Sequence, residues 1–194
     1  MVRRQKKNKT IVWLTVAIAI IMVTSIAGYF TDEMTEKKRY GRYSFTVRED
    51  GIYTQVNSTW LKFRYYPDKL QEIPLDKEVM AQLMQARAVM ITFEPGAEDG
   101  ATVDLLRLEM SKEMPALFGT YVVMGVTNNS NLLLPEVTCQ NATSYMPVLY
   151  LKDTGNVSVT AQDGCIILQG DKQGLAIAKD RLYYTYLGIL NATA

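Results

Sequence analysis

The segment Ala88-Val89-Met90-Ile91-Thr92-Phe93 is the strongest strand signal in the sequence. It is apolar almost throughout and lacks the polar alternation of a half-exposed strand, so it predicts a strand buried on both faces. A second apolar segment of this kind spans residues 121–126. Between the two segments, apolar residues recur at helical spacing: Val103, Leu106, Met110, Met114 and Leu117. Two buried strands joined by a helix predict a parallel, right-handed crossover.

Upstream of this crossover the sequence predicts an antiparallel meander. Residues alternate in polarity over 43–48 and 60–65, Asp50-Gly51 is a hairpin turn signal, and residues 52–56 are expected to form the return strand. A helix is expected to begin after Asp76, which is a favourable capping residue. No periodicity is visible over residues 31–41, which predicts a short stalk.

Downstream, a long polar loop over residues 128–143 is followed by three short strands and a last helix. Turn signals separate the strands at Thr154-Gly155-Asn156 and Asp163-Gly164. The strands are expected at residues 148–151, 157–160 and 165–168. The apolar stripe of the last helix is Leu175, Ala178, Leu182, Tyr186 and Ile189. The fold expected over residues 42–194 is therefore α+β (or α/β), one mixed sheet with three helices.

The N-terminal thirty residues predict a membrane anchor. Residues 1–10 contain five basic side chains and no acid, and residues 11–30 contain no charge. Twenty helical residues span about 30 Å, the thickness of the bilayer core. Basic residues favour the cytoplasmic side. We therefore expect a cytoplasmic tail at 1–10, a single transmembrane helix in contact with the lipid bilayer at 11–30, and an extracytoplasmic domain.

A cleaved signal peptide is the alternative for the same segment. Ser25-Ile26-Ala27 before Gly28 fits the small-x-small pattern of a cleavage site. The apolar stretch is longer than the roughly 7–15 residues of a signal-peptide core, which favours the anchor.

Glycosylation signals agree with an extracytoplasmic domain. The pattern Asn-x-Ser/Thr occurs once in the tail, at Asn8, and five times beyond the apolar stretch. The five expected glycosylation sites are Asn57, Asn128, Asn141, Asn156 and Asn191.

The two cysteines, Cys139 and Cys165, both lie in the domain expected outside the cell. A disulfide persists in an oxidising compartment, so we expect the two residues to be joined. The alternative is a pair of buried free thiols, which are common in apolar strands.

Composition excludes several chemistries. The chain has 194 residues, a formal net charge of +1 and no histidine. Without histidine there is no Ser-His-Asp or Cys-His pair and no histidine-ligated zinc or haem. A near-neutral charge argues against a nucleic-acid partner, since such domains are distinctly basic. Neither a cofactor nor a metal is expected.

Four acidic residues near the second helix are candidate calcium ligands. Their spacing matches no known calcium loop, and acids at a helix N-terminus complement its dipole, which is the favoured interpretation. These acids are Glu94, Glu98, Asp99 and Asp104.

Aromatic and basic residues gather in the meander. The aromatic side chains predict either a platform for a sugar or protein partner or ordinary cross-strand packing. Lys37-Lys38-Arg39 either contacts anionic headgroups or is simply solvated. The aromatic residues are Tyr40, Tyr43, Tyr53, Trp60, Tyr65 and Tyr66.

Four segments of the C-terminal part carry a resemblance. They are Thr138-Cys139-Gln140-Asn141-Ala142-Thr143, Met146-Pro147-Val148-Leu149-Tyr150-Leu151, Gly164-Cys165-Ile166-Ile167-Leu168 and Asp180-Arg181-Leu182-Tyr183-Tyr184. They resemble an uncharacterised group of small membrane-anchored archaeal proteins. The resemblance implies an archaeal envelope setting. It implies no particular activity, because the group is uncharacterised.

These observations predict a single-pass, membrane-anchored extracytoplasmic protein. The expected role is non-enzymatic: binding an extracytoplasmic protein or glycan, or contributing to envelope architecture. The alternative is a carboxylate-dependent hydrolase acting on envelope material, which needs two acids within catalytic reach. A ligand or ion sensor is a third hypothesis, although a ten-residue tail leaves no room for an output domain.

Overall fold

The computed structural model describes residues 9–31, 37–128 and 132–192. The chain divides into two compact units, residues 1–36 and residues 37–194. In the first unit, helix α1 runs over Lys9–Thr31, and its described side chains, those of residues 12–25, are all exposed. Among the described residues, no helix is both long and apolar enough to cross a membrane. The transmembrane segment expected at residues 11–30 stays a prediction, and residues 1–8 of the expected tail lie outside the described residues.

The described residues of the second unit have an α+β fold with two sheets and three α-helices, where the sequence predicted one mixed sheet with three helices. Its first sheet is an antiparallel meander in which each strand pairs with the next along the chain. The four strands are β1 Lys37–Tyr40, β2 Tyr43–Arg48, β3 Gly51–Val56 and β4 Thr59–Phe63.

Strand β1 corrects the prediction of an irregular stalk over residues 31–41. Residues 37–40 pair with β2 through a tight turn in which Gly41 has a φ of +55°. The strand shows no alternation in sequence because three of its four residues are basic and exposed, and only Tyr40 packs against the core. Residues 32–36 of the expected stalk lie outside the described residues.

The inner face of the meander is buried. Phe45, Leu61 and Phe63 are fully buried in the main core. The ring of Phe63 stacks on Tyr184 at a centroid distance of 4.2 Å. The alternation in sequence therefore marks a sheet with one face toward the helices and one toward solvent.

The second sheet contains the crossover. Its order is β6-β5-β7-β8, and β5 pairs in parallel with both β6 and β7. The predicted parallel pairing of β5 with β6 is confirmed, but the prediction that β6 is buried on both faces is wrong: β6 is an edge strand, and its Tyr121 is 82% exposed. The strands are β5 Ala88–Phe93, β6 Tyr121–Met124, β7 Val148–Gln162 and β8 Cys165–Gly170.

Strand β7 replaces two of the predicted strands. Its first part pairs in parallel with β8, from Val148 opposite Cys165 onward. The pairing then runs in the opposite direction and ends with Gln162 opposite the same Cys165. The chain reverses around Gly155, whose φ is +80°. Both predicted turns, at 154–156 and 163–164, fall where the chain changes direction, and β8 lies between the two halves of β7.

Three helices complete the unit: α2 Lys77–Gln85, α3 Gly100–Phe118 and α4 Lys172–Tyr186. Asp171 caps α4, since its carboxylate accepts hydrogen bonds from the backbone N–H groups of Gln173 and Gly174. Asp76 precedes α2 as predicted, but its carboxylate accepts from the Ala161 N–H instead of capping the helix.

A disulfide joins Cys139 to Cys165, with the two Cα atoms 5.2 Å apart. Cys165 lies in a small second core with Met90, Val137 and Val148. Because alternate residues of a strand point to opposite faces, this core covers the face of the second sheet that the main core does not. The predicted pairing of the two cysteines is confirmed, and it fastens the polar loop to that face.

Reduction of the disulfide is expected to lower the free energy of unfolding by about 3 kcal/mol, because the bond closes a loop of 26 residues in the unfolded chain. Urea unfolding of oxidised and reduced protein measures the difference. The double variant C139S/C165S is the control and should unfold like the reduced wild type. Equal midpoints for the oxidised and reduced wild type would contradict the prediction.

Candidate functional site

The outer face of the meander is the candidate binding surface. The strand register places Lys37, Thr46, Tyr53 and Lys62 opposite one another in one row across the four strands. Side chains in such a row share one face of the sheet. Phe45 and Phe63, one residue away on the same strands, are buried, so this row faces solvent.

Two aromatic and two basic side chains on this face form what we call the platform: Arg48, Tyr53, Trp60 and Lys62. The guanidinium carbon of Arg48 lies 4.7 Å from the Tyr53 ring centroid and 5.0 Å from that of Trp60. The Lys62 Nζ atom lies 5.8 Å from the Tyr53 centroid. A cation over an aromatic ring is attracted by the ring's quadrupole, which holds these side chains against the sheet.

Asp50 fixes one end of the platform. Its Oδ2 atom accepts hydrogen bonds from the Tyr53 hydroxyl at 2.6 Å and from the Lys62 Nζ at 2.9 Å. The hydrogen bond from Lys62, followed by that from Tyr53, lowers the pKa of Asp50 to about 2. The same Asp50 contact raises the pKa of Lys62 above its usual value. The charge of Lys62 is therefore balanced within the platform.

Arg48 and Trp60 are the components left available to a partner. Among the described residues no carboxylate forms an ion pair with Arg48. The Trp60 side chain is 48% exposed although it is one of the largest apolar groups in the chain. An aromatic surface next to an unbalanced cation can bind an anionic group and the apolar or polyol surface beside it.

The structure divides the six aromatic residues that the sequence grouped together. Only Tyr53 and Trp60 share the platform. Tyr40 contacts Phe45 of the buried face edge-on at 5.6 Å, and Tyr66 lies 6.3 Å from Tyr40. Cross-strand packing, the second interpretation of the sequence, therefore describes Tyr40. Of the basic run Lys37-Lys38-Arg39, Lys38 points away from the platform, since its Nζ lies 4.3 Å over the Tyr66 ring.

The five asparagines of the expected glycosylation sites are all exposed. Two of them use the nitrogen that would carry a glycan. Asn57 Nδ2 donates to the Ala116 carbonyl and Asn128 Nδ2 to Glu94, both at 2.8 Å. The Nδ2 atoms of the other three sites make no hydrogen bond within the described part of the chain. Glycosylation stays a prediction at all five.

A buried ionic cluster joins the edge of β4 to α3 and α4. Lys179 Nζ donates to Glu109 Oε1 at 2.6 Å, to Glu113 Oε2 at 3.2 Å and to the backbone carbonyl of Lys62 at 2.7 Å. The Lys179 side chain is fully buried, so these three acceptors replace its water shell. The arrangement satisfies all three donors of the ammonium group.

Two carboxylates accept hydrogen bonds from backbone N–H groups in and just after β4. Glu113 Oε1 accepts from the Lys62 N–H at 2.9 Å. Asp180 Oδ2 accepts from the Arg64 N–H at 2.7 Å and the Tyr65 N–H at 3.1 Å. The edge of β4 is thereby hydrogen-bonded to helix side chains where another strand would otherwise pair.

Burial shifts the pKa values of this cluster. Burial raises the pKa of Asp180 to about 7, against the opposing effects of Lys179 and of the two backbone N–H groups. Its Oδ1 atom has no hydrogen-bond partner among the described residues. Burial likewise raises the pKa of Glu113. Burial alone would lower the pKa of Lys179, but the carboxylates around it, Glu113 first, outweigh burial and raise it.

Sequence reasoning missed this cluster. The signal is the run Lys179-Asp180-Arg181, which lies between the buried stripe positions Ala178 and Leu182. All three charged residues are at most 1% exposed. A helix can be buried on nearly every side where each charge has a partner.

The acids considered as calcium ligands do not converge. Glu94 bonds to Asn128, Asp99 pairs with Lys172 at 3.2 Å, and Asp104 pairs with Arg107. Among the described residues no three carboxylate or cysteine side chains form a group that could hold a metal ion.

Three cavities bear on the hydrolase alternative. A cavity of about 490 Å³ between α2 and the disulfide-bonded loop contains one carboxylate, Glu78. Another of about 370 Å³ contains none, and one of about 110 Å³ contains Glu109 alone. None of these three cavities brings two carboxylates together.

Comparisons with protein-family models, curated proteins and solved structures give no match. The resemblance to the archaeal group stays a prediction.

The raised pKa of Asp180 predicts that the fold loses stability as pH rises. Between an unfolded-state value of 3.8 and a folded value of about 7, the folded chain keeps a proton that the unfolded chain has lost. The resulting stabilisation is complete below about pH 4 and is lost as pH rises through 7. In D180N the amide oxygen still accepts hydrogen bonds from the two N–H groups. We expect its free energy of unfolding to fall less between pH 4 and pH 8 than that of the wild type.

D180A is the control for the hydrogen bonds. It leaves the Arg64 and Tyr65 N–H groups unpaired and should be destabilised at both pH values, by about 1–3 kcal/mol for each group. Urea unfolding of the three proteins at several pH values tests both effects. Parallel pH profiles for the wild type and D180N would show that Asp180 does not retain its proton.

Proposed function

We propose that this chain is a single-pass, membrane-anchored extracytoplasmic binding domain, non-enzymatic, that contributes to envelope architecture through its platform. The observation that carries the proposal is the half-exposed Trp60 beside Arg48 on the outer face of the meander. This combination suits an anionic partner in the envelope.

The anchor is supported by the sequence and by the exposure of α1. Residues 11–30 contain no charge and follow five basic residues. The described apolar side chains of α1 are exposed on every side, with Trp13 at 75% and Val23 at 66%. A helix that is apolar all round needs an apolar environment, which a bilayer supplies.

The extracytoplasmic location is supported by the disulfide and by the asparagines. A disulfide between Cys139 and Cys165 persists where the compartment is oxidising. All five asparagines beyond residue 31 that fit the glycosylation pattern are exposed. The hydrolase alternative has no comparable support, since the three cavities described above hold at most one carboxylate each.

Protease treatment of intact cells tests the location. We expect residues 37–194 to be digested without lysis, and intact mass to show that the N-terminus is retained. The exposed Tyr145 and Leu133 lie on the surface open to protease. Protection of the domain until the cells are lysed would contradict the orientation, and a mature chain beginning at Gly28 would contradict the anchor.

A photocrosslinking amino acid at Gln55 tests the platform. Gln55 lies opposite Trp60 in the strand register and is exposed. The matched control is Gln71, which is exposed and outside the meander. Irradiation of intact cells should give an adduct from position 55 and none from position 71, whatever the chemical class of the partner. Equal labelling at both positions, or none, would contradict a binding role for this face.

A further inference from the structure

We infer that the outer face of the meander docks onto the anionic headgroups of the bilayer that anchors the chain. The inference rests on the proposed function and names the partner of the same surface. Three observations lead to it: the distribution of charge, the aromatic residues and the length of chain before the meander.

Basic side chains lie on more than one strand of the outer face of the meander. The register carries Lys37 on β1 and Lys62 on β4 at the two ends of one row, and three strand spacings separate them by about 14 Å. Arg39 and Arg48 are exposed on the same face as this row. One carboxylate, Asp50, contacts the platform, and Lys62 already neutralises it. Because Asp50 balances Lys62, the cations left for an anionic surface are Lys37, Arg39 and Arg48, which lie on β1 and β2. Three separate cations match an extended anionic surface better than a single compact anion.

The aromatic residues favour lipid headgroups over other anionic surfaces. Tryptophan and tyrosine concentrate at the membrane–water interface, where the ring contacts apolar groups and the polar tip stays hydrated. Trp60 exposes about half of its side chain beside Arg48. Juxtamembrane basic residues are attracted to anionic lipid, each by an amount that corresponds to about fivefold in binding.

Chain length keeps the meander near the bilayer. Helix α1 ends at Thr31 and β1 begins at Lys37, so five residues connect them. A chain of this length spans at most about 20 Å when fully extended. An anchor in the bilayer therefore gives the headgroups a high effective concentration at every face of the tethered domain, so a weak attraction is enough for the basic face to dock. A partner that is not attached to the chain lacks this advantage.

Trp60 fluorescence in reconstituted full-length protein tests the inference. The chain has two tryptophans, so W13F leaves Trp60 as the only tryptophan, and excitation at a wavelength that tyrosine does not absorb isolates its emission. Two sets of vesicles are compared, one of zwitterionic lipid and one with one-third anionic lipid, each containing lipid with a nitroxide on its headgroup. In anionic vesicles we expect Trp60 emission to shift to shorter wavelength and to be quenched. In zwitterionic vesicles both effects should be small.

Charge reversal provides the specificity control. R48E and K37E in the W13F chain should each lower the docking equilibrium by fivefold or more in anionic vesicles, and added salt should have the same direction of effect. K77E is the matched control, since Lys77 is an exposed lysine at the start of α2. It should leave the quenching unchanged.

The outcomes separate this inference from the proposed function. Quenching that is absent, or equal in both lipid mixtures, would overturn headgroup docking. If the Gln55 adduct still forms in cells, the partner is instead a protein or glycan and the proposed function stands. Chain that does not float with the vesicles would overturn the anchor and the docking together.

Discussion

The buried ammonium group of Lys179 joins the backbone of β4 to the helices of the second unit. The Lys62 carbonyl accepts from Lys179, and the N–H groups of Lys62, Arg64 and Tyr65 donate to Glu113 and Asp180. Each of these groups would cost about 1–3 kcal/mol if it were buried without a partner. The helix side chains thus take the place of a fifth strand, which explains why the meander forms its own sheet beside the crossover sheet.

This use of buried charge has a consequence for where binding can occur. The inner face of the meander packs on α4 through Phe63 and Tyr184, and its β4 edge is occupied by the ionic cluster. Its outer face is then the broad meander surface that the core does not use. Removing one partner of a buried ion pair leaves an uncompensated charge, so the cluster is expected to hold one arrangement rather than several.

Local signals predicted the elements that depend on local chemistry. The crossover follows from two apolar strands around one apolar helical stripe, and the turn at Asp163-Gly164 from residues that adopt positive φ, here 50° and 78°. The disulfide follows from two cysteines in one expected compartment. Strand β1 was missed because exposed basic residues conceal its pairing. The ionic cluster was missed because the run Lys179-Asp180-Arg181 shows only that charges fall on a buried helix, whereas its partner Lys62 lies 117 residues away in sequence.

The candidate site was likewise predictable only in part. Aromatic residues in the meander were recognised from composition, but which of them share a face depends on register, and a shift of one residue exchanges the two faces. Tyr53 and Trp60 share the outer face because the register of β3 and β4 places Tyr53 opposite Lys62 and Gln55 opposite Trp60. Tyr40 packs instead on the buried Phe45.

The two charged regions of the unit respond differently to pH. Because the pKa of Asp50 is lowered to about 2 and that of Lys62 is raised, both groups of this pair are charged through the neutral range. Asp180 titrates near pH 7, and it lies where α4 meets β4. A change of pH around neutrality therefore acts on the junction that positions the meander, while the Asp50–Lys62 pair on its outer face keeps its charges. The carboxyl group that titrates near neutral pH, Asp180, lies in the buried junction, and the pair that stays charged at neutral pH, Asp50 and Lys62, lies on the surface.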